Sequence, residues 1–426
     1  MEQKEKALQN LKRVKLVVGN GFDLYCGLKT KYEDFFGHFS GKYKYLKEWI
    51  SKVASSIVNT KGIEEDPGGI YESMERENEI NCWDLFFSMR LDSMRGPLWC
   101  DIEWEMLESL EGNDNKQKDR FGSHWENVWQ FLNKESRDTH CLGTMILGGF
   151  IYHKLNGIPD SKDTFYEYLL AQLKLFEEAF GRYIISQHIA LNPYIATINT
   201  INTSGARRLL TYLCNVAELV AIDCFNFAFT SETRFFEKCK FVNGDCLSPI
   251  FGVDSVFDPT SDPRYLFTKT NRRIERDMNT TELPEMLDYE NVIVFGHSLN
   301  SQDYNYFFPI LDQLEMTNLI SKKKLVIAYT IYDPKQETEI KKNIRQAFYS
   351  LFQKYADYHE FGNRALRLFD SLITQGRVIM YEVPYVSTLT NNFAEKSLDT
   401  WVFQSPRDGI ITRWQTYLDY GKNLGN

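Results

Sequence analysis

Short apolar runs that end in glycine or asparagine alternate in this chain with longer stretches of helical spacing, and the two kinds are unevenly distributed. Val14-Lys15-Leu16-Val17-Val18 is brief, β-branched and followed at once by Gly19, the pattern of a buried strand ending in a turn. From Lys31 to about Gln187 the spacing is helical, as in the stretch from Phe165 to Phe176. Turn residues interrupt it at Thr60 to Gly69, Glu111 to Asp119, Leu155 to Asp163 and Asn192 to Gly205, which are expected to be loops. Strand-like runs return at Leu219 to Asn226, Lys240 to Val242, Asn291 to Phe295, Lys324 to Tyr329 and Arg377 to Tyr381. Helical patterns over Asp303 to Ile320, Pro334 to Lys354 and His359 to Thr374 separate the later strands.

Strands alternating with helices predict an open, mostly parallel sheet covered on both faces. The expected fold class is therefore α/β and Rossmann-like, with a large helical insertion. Residues 1–30 and 216–385 would form the core, 31–215 the insertion and 386–426 a C-terminal extension. Ligands of such sheets bind at the carboxyl ends of the strands. Three polar or glycine-rich segments fall at strand ends, at Gly19, Asn226 and Gly296, so one crevice could collect all three.

Composition narrows this picture. The chain has 426 residues, 43% of them hydrophobic, enough to bury a large core. Its net charge of -9 argues against coating nucleic acid through bulk charge, so no nucleic-acid partner is expected. The densest basic run, Lys322-Lys323-Lys324, reads as a solvated approach to a strand. Eight scattered cysteines form no CxxC or Cys/His cluster, read as reduced thiols, and suggest no metal. No apolar signal region opens the chain, and no run of about 18 apolar residues occurs, so neither secretion nor a membrane partner is expected and the location would be cytoplasmic.

In Gly19-Asn20-Gly21-Phe22-Asp23 the glycines permit close backbone approach, and free N–H groups of the following turn could face an anion. The full dinucleotide fingerprint is absent, because Leu24 stands where GxGxxG needs glycine and no strand follows about twenty residues on to supply a ribose-binding acid. A plain strand-to-helix turn also fits these five residues. Gly296-His297-Ser298-Leu299-Asn300-Ser301-Gln302-Asp303 repeats the arrangement, with Ser301 or Asp303 as helix cap and His297 as acid, base or structural contact. Asn226 and Asn243 end two further strands, where asparagine is also a common turn residue. Asp101 and Glu103, two apart on a helical stretch, would not share a face and read as exposed helix charge. The remaining histidines have no ligand spacing, and no hydrolase elbow, P-loop, zincin or kinase signature is present.

The ordered blocks VVGNGFDLYCGLKTKYEDFF, WCDIE, CFNFAFT, FVNGD with FGVD, and VIVFGHSLNSQDYNYF resemble the bacteriophage abortive infection AbiH family, over residues 14 to about 310. That family is in turn similar, more distantly, to sirtuin-like NAD-binding proteins, whose order is a glycine-rich turn, an asparagine motif, a His-Gly and a Gly-x-Ser. The resemblance implies antiphage defence with NAD or a related nucleotide as ligand. Gly19, Gly21 and Ser298 would contact phosphate or ribose, within a pocket that also includes Asn20, Phe22, Asp23, Asn243 and Gly296. Asn226 would position the nicotinamide ribose or a water for cleavage of the N-glycosidic bond. Asn243 departs from the pattern by replacing the expected histidine, and an amide is no general base, so His297 or Asp23 would have to substitute. Two alternatives stand beside hydrolysis. One is a non-catalytic nucleotide-responsive sensor or scaffold; the other is an RNA-directed nuclease using Asp23, Asp101, Glu103 and Asp303. Expected protein partners are a second copy of the chain or an operon-encoded protein.

Overall fold

The computed structural model describes residues 11–25, 28–59, 80–90, 101–112, 124–134, 141–191, 217–227, 239–254, 257–277, 288–360 and 365–383. The loops expected at Thr60 to Gly69 and Asn192 to Gly205, most of Glu111 to Asp119, the side chain of Asp101 and the extension at 386–426 lie outside the described residues.

Six strands form one sheet: β1 (Leu11–Val18), β2 (Ala217–Cys224), β3 (Cys239–Phe241), β4 (Asn291–Phe295), β5 (Lys324–Tyr329) and β6 (Val378–Glu382). Every neighbouring pair is parallel, in the order β3-β2-β1-β4-β5-β6. This is the doubly wound Rossmann order, whose direction of winding reverses between β1 and β4. The strands read as nearly continuous apolar runs because both faces are covered. On one face Val17, Val292, Val294, Leu325 and Ile327 pack with Phe307, Leu311, Phe348 and Phe352. On the other, Leu16, Val18, Ile293, Phe295 and Val326 pack with Phe22 and Tyr25.

Several element ends differ from the sequence expectation. β2 stops at Cys224, before Asn226: the Phe225 N–H still bonds the Val18 carbonyl at 2.9 Å, after which the chain turns away. The helix expected over Asp303 to Ile320 spans only Tyr304–Gln313. It ends in a Schellman motif, in which Glu315 takes φ +51 and the N–H groups of Glu315 and Met316 bond the Asp312 and Leu311 carbonyls. The Arg377 guanidinium then binds the carbonyls of Leu314, Glu315, Asn318 and Lys323. Lys323 approaches β5 paired with Glu315 at 2.7 Å.

By contacts the chain divides into two units. One comprises Met1–Lys31, Gly181–Pro249 and Glu282–Asn426 and holds the sheet; the other comprises Tyr32–Phe180 and Ile250–Thr281. Thus a segment later than the expected 31–215 insertion joins the helical unit. That unit packs the helices Tyr32–His38, Ser40–Asn59, Cys82–Arg90, Asp101–Glu111, Trp125–Leu132 and Leu142–Leu155, with Lys162–Leu191 as far as Phe180. Its core is aromatic, with Trp83 and Trp125 edge to face at 5.0 Å. The helix Lys269–Asp277 enters this unit through two buried ion pairs on its first turns, Lys269 Nζ to Glu103 at 2.8 Å and Arg272 Nη2 to Glu177 at 2.7 Å. Glu103 is therefore not exposed helix charge. It is buried because Lys269 supplies the charge that its own helix does not.

Candidate functional site

The turns after β1 and β4 meet at the point where the winding reverses. The Gly19 N–H donates to the Phe295 carbonyl at 3.0 Å and the Gly21 N–H to the Gly296 carbonyl at 2.8 Å. A Cβ on Gly19 would stand 2.5 Å from the His297 Cα, and one on Gly21 2.6 Å from the Gly296 Cα. Gly296 has φ +65, and a Cβ there would stand 2.6 Å from the Phe22 nitrogen. The three glycines thus allow two backbones to touch each other. Since the Phe22 N–H also bonds the Gly19 carbonyl at 2.8 Å, three amides of the first turn are already committed within the protein. The helix that follows, Asn20–Tyr25, has only six residues.

Asn226 lies against this double turn. Its Nδ2 donates to the Gly19 carbonyl at 2.7 Å, and its own carbonyl accepts from the Cys224 thiol at 3.3 Å. Asp23 is 1% exposed, and its Oδ1 has no hydrogen-bond partner. Burial pushes the Asp23 carboxyl well above the ordinary carboxylate range, and the Asn226 contact offsets this only in part. Its site therefore disfavours the ionised form. Burial, reinforced by the neighbouring Cys239, raises the Cys224 thiol as well. Asn20 Oδ1 accepts from the Thr30 hydroxyl at 2.5 Å. Phe22 is fully buried edge to face with Phe295, so it belongs to the core.

The second turn is locked differently. His297 Nδ1 accepts from the Leu299 N–H at 2.9 Å, which leaves the ring proton on Nε2, 3.4 Å from Asp303 Oδ2. Phe225 and Phe307 hold the ring edge to face at 4.4 and 5.0 Å. Neither Ser301 nor Asp303 acts as a side-chain cap. Asn300 precedes the 3-10 turn Ser301–Asp303, and Asp303 precedes the helix without bonding its amides, its carboxylate facing His297 instead. Ser298 is exposed beside this turn, whereas Asn243, at the end of β3, is buried.

Two further residues complete the edge. Asp223, the penultimate residue of β2, is an acid on the strand next to β1, which a search about twenty residues on could not find because the insertion intervenes. It is already engaged, by Lys15 Nζ at 2.5 Å and by the Tyr306 hydroxyl. Tyr332, after β5, donates its hydroxyl to the Gly21 carbonyl at 3.1 Å.

Residues 16–141 match the family described as bacteriophage abortive infection AbiH. The resemblance read from the sequence holds over that segment, which contains the first glycine turn but not Asn226, Asn243 or Gly296. The match supports a role in abortive-infection defence against phage. No curated protein and no solved structure matches the chain. Among the described residues, no helix is long and apolar enough to cross a membrane.

Proposed function

Taking the AbiH match over residues 16–141 as premise, we propose that the chain is an antiphage abortive-infection protein that binds NAD or a related nucleotide at the carboxyl edge of its sheet. The observation that carries this reading is convergence. The ends of β1, β2 and β4 meet at the reversal point of a Rossmann-ordered sheet, around a buried Asp23 oxygen that lacks a partner. An orphaned oxygen of this kind costs about 1–3 kcal/mol. It is retained at functional sites when a ligand or water satisfies it.

The same geometry favours binding over rapid turnover. Asn226 Nδ2 is committed to the Gly19 carbonyl, burial disfavours the ionised form of Asp23, and both His297 ring nitrogens face neighbours. None of the three stands ready as a general base, which would supply about 10²–10⁴ in rate. This supports a nucleotide-responsive sensor, with N-glycosidic hydrolysis as the finer alternative that requires Asp23 to ionise.

Calorimetry with NAD, ADP-ribose and ATP, run beside nicotinamide release across pH, tests the reading. Binding without release supports the sensor. Release that is abolished by Asp23→Asn establishes the hydrolase. The absence of heat with every nucleotide rejects both. Loss of cellular RNA on infection with NAD unchanged would point to the RNA-directed effector instead.

A further inference from the structure

The geometry points to Tyr332 as the stacking platform for the planar base of the nucleotide, an inference that rests on the binding reading above. Four features of the sheet unit converge on this residue. It follows β5, so β4 stands between its strand and β1; its hydroxyl nevertheless reaches the Gly21 carbonyl of the β1 turn at 3.1 Å. The side chain therefore extends across the reversal point, where Rossmann-ordered sheets take their ligands. The residue remains 44% exposed although its hydroxyl is tied down.

The segment is anchored on both sides of the tyrosine. Before it, the Thr330 hydroxyl bonds the Val383 carbonyl at 3.1 Å, and the Val383 N–H bonds the Tyr329 carbonyl at 2.7 Å. After it, the Asp333 side chain accepts from the Lys335 N–H at 2.9 Å and caps the turn Pro334–Gln336. Single exposed aromatics are ordinary. An exposed ring fixed at its hydroxyl, on a segment fixed at both ends, beside the glycine turn, is pre-organised: little side-chain entropy remains to be lost when a flat ligand settles on it. The other named residues at this edge offer polar atoms or buried rings. Ser298 presents a hydroxyl, and Phe22 and Phe225 lie in the core.

Titration calorimetry of the full chain with AMP, nicotinamide mononucleotide and ribose 5-phosphate provides the test. Tyr332→Ala is expected to weaken the nucleotide that stacks on it by about 5- to 150-fold, as for a lost base–aromatic contact, and to leave ribose 5-phosphate unchanged. Which nucleotide loses affinity tells adenine from nicotinamide. Tyr332→Phe, which keeps the ring but not the bond to Gly21, should retain the preference for a base. Should truncation prevent folding, Tyr332→Trp should fold and show fluorescence quenching by the base-containing ligands but not by ribose 5-phosphate. Equal weakening of all three ligands by Tyr332→Ala, or no weakening, overturns the stacking role while nucleotide binding stands. Failure of the wild-type chain to bind any of them overturns the binding reading itself.

Discussion

Replacing Gly296 with alanine asks what the glycines at the strand ends are for. If they keep space for a ligand, substitution should harm binding and leave the free protein stable. If they let the β1 and β4 turns touch, it should destabilise the protein with no ligand present. The geometry supports the second outcome. Alanine at φ +65 costs about 1–2 kcal/mol in left-handed backbone strain. Its Cβ would stand 2.6 Å from the Phe22 nitrogen and 2.7 Å from the Gly21 Cα and carbonyl carbon. These are backbone atoms that cannot swing aside, so overpacking adds about 1–3 kcal/mol. The expected loss is about 2–5 kcal/mol, a large share of the roughly 5–15 kcal/mol that a native domain possesses.

Gly21→Ala meets the same contact from the other side, with its Cβ 2.6 Å from the Gly296 Cα, but its φ does not lie in the left-handed region. It should cost about 1–3 kcal/mol. The double substitution should cost less than the sum, because one separation of the turns relieves both clashes. Gly37→Ala is the control: nothing lies within 4 Å of its added Cβ, and in the helix Tyr32–His38 alanine should stabilise by up to about 1 kcal/mol. Urea unfolding of the free protein, with amide exchange read at Gly19 and Gly21, measures all four. A free Gly296→Ala protein as stable as wild type, with unchanged exchange but weakened nucleotide binding, would refute the turn-on-turn account.

Three other outcomes follow from the same structure. Because burial raises the Asp23 carboxyl, the folded protein holds that proton more tightly than the unfolded chain does. Its contribution to stability is complete below the ordinary aspartate range and is lost as pH rises toward the folded value. Asp23→Asn carries no such loss, so its stability relative to wild type should increase with pH; urea midpoints at stepped pH check this, and a constant difference would contradict it. Asn226→Ala removes the donor to the Gly19 carbonyl and should destabilise by about 1–3 kcal/mol, visible as faster amide exchange through the first turn. Arg272→Ala strands the buried Glu177 carboxylate and should cost about 3–5 kcal/mol, whereas removing both charges with apolar residues should cost much less; equal losses in single and double variants would rule out a buried pair.

The strands were legible because a parallel sheet buried on both faces demands short, nearly continuous apolar runs, and β4 and β5 have the expected limits. Helix ends were less so. A C-terminus is normally announced by glycine or asparagine in the left-handed position, but Glu315 takes it here, so the apolar spacing appeared to run on past Gln313. The burial of Glu103 was invisible for a different reason. Helical spacing decides which residues share a face, but not whether a partner such as Lys269, 166 residues later, will cover that face.

The glycine turns show the same gap between local pattern and long-range cause. Sequence identifies Gly19, Gly21 and Gly296 as places where a backbone comes close to something, since absence of a Cβ is a local property. It does not identify what approaches. A phosphate and a second turn make the same demand, and only the pairing of β1 with β4 brings Gly21 and Gly296 together. Once that pairing forms, the amides first read as phosphate donors bond to Phe295 and Gly296, so the proposed nucleotide would have to be recognised by side chains instead. Under the proposed reading the candidates are Asp23, Ser298 and Tyr332, and only Tyr332 lacks a sequence signal, because an aromatic after a strand is more often core than platform. The glycines would then act on the ligand indirectly, by fixing the floor on which these three side chains stand. On this account a Gly296→Ala protein that still folds should lose nucleotide affinity in proportion to the displacement of its turns, and restoring the turn geometry should restore binding with no new contact to the ligand.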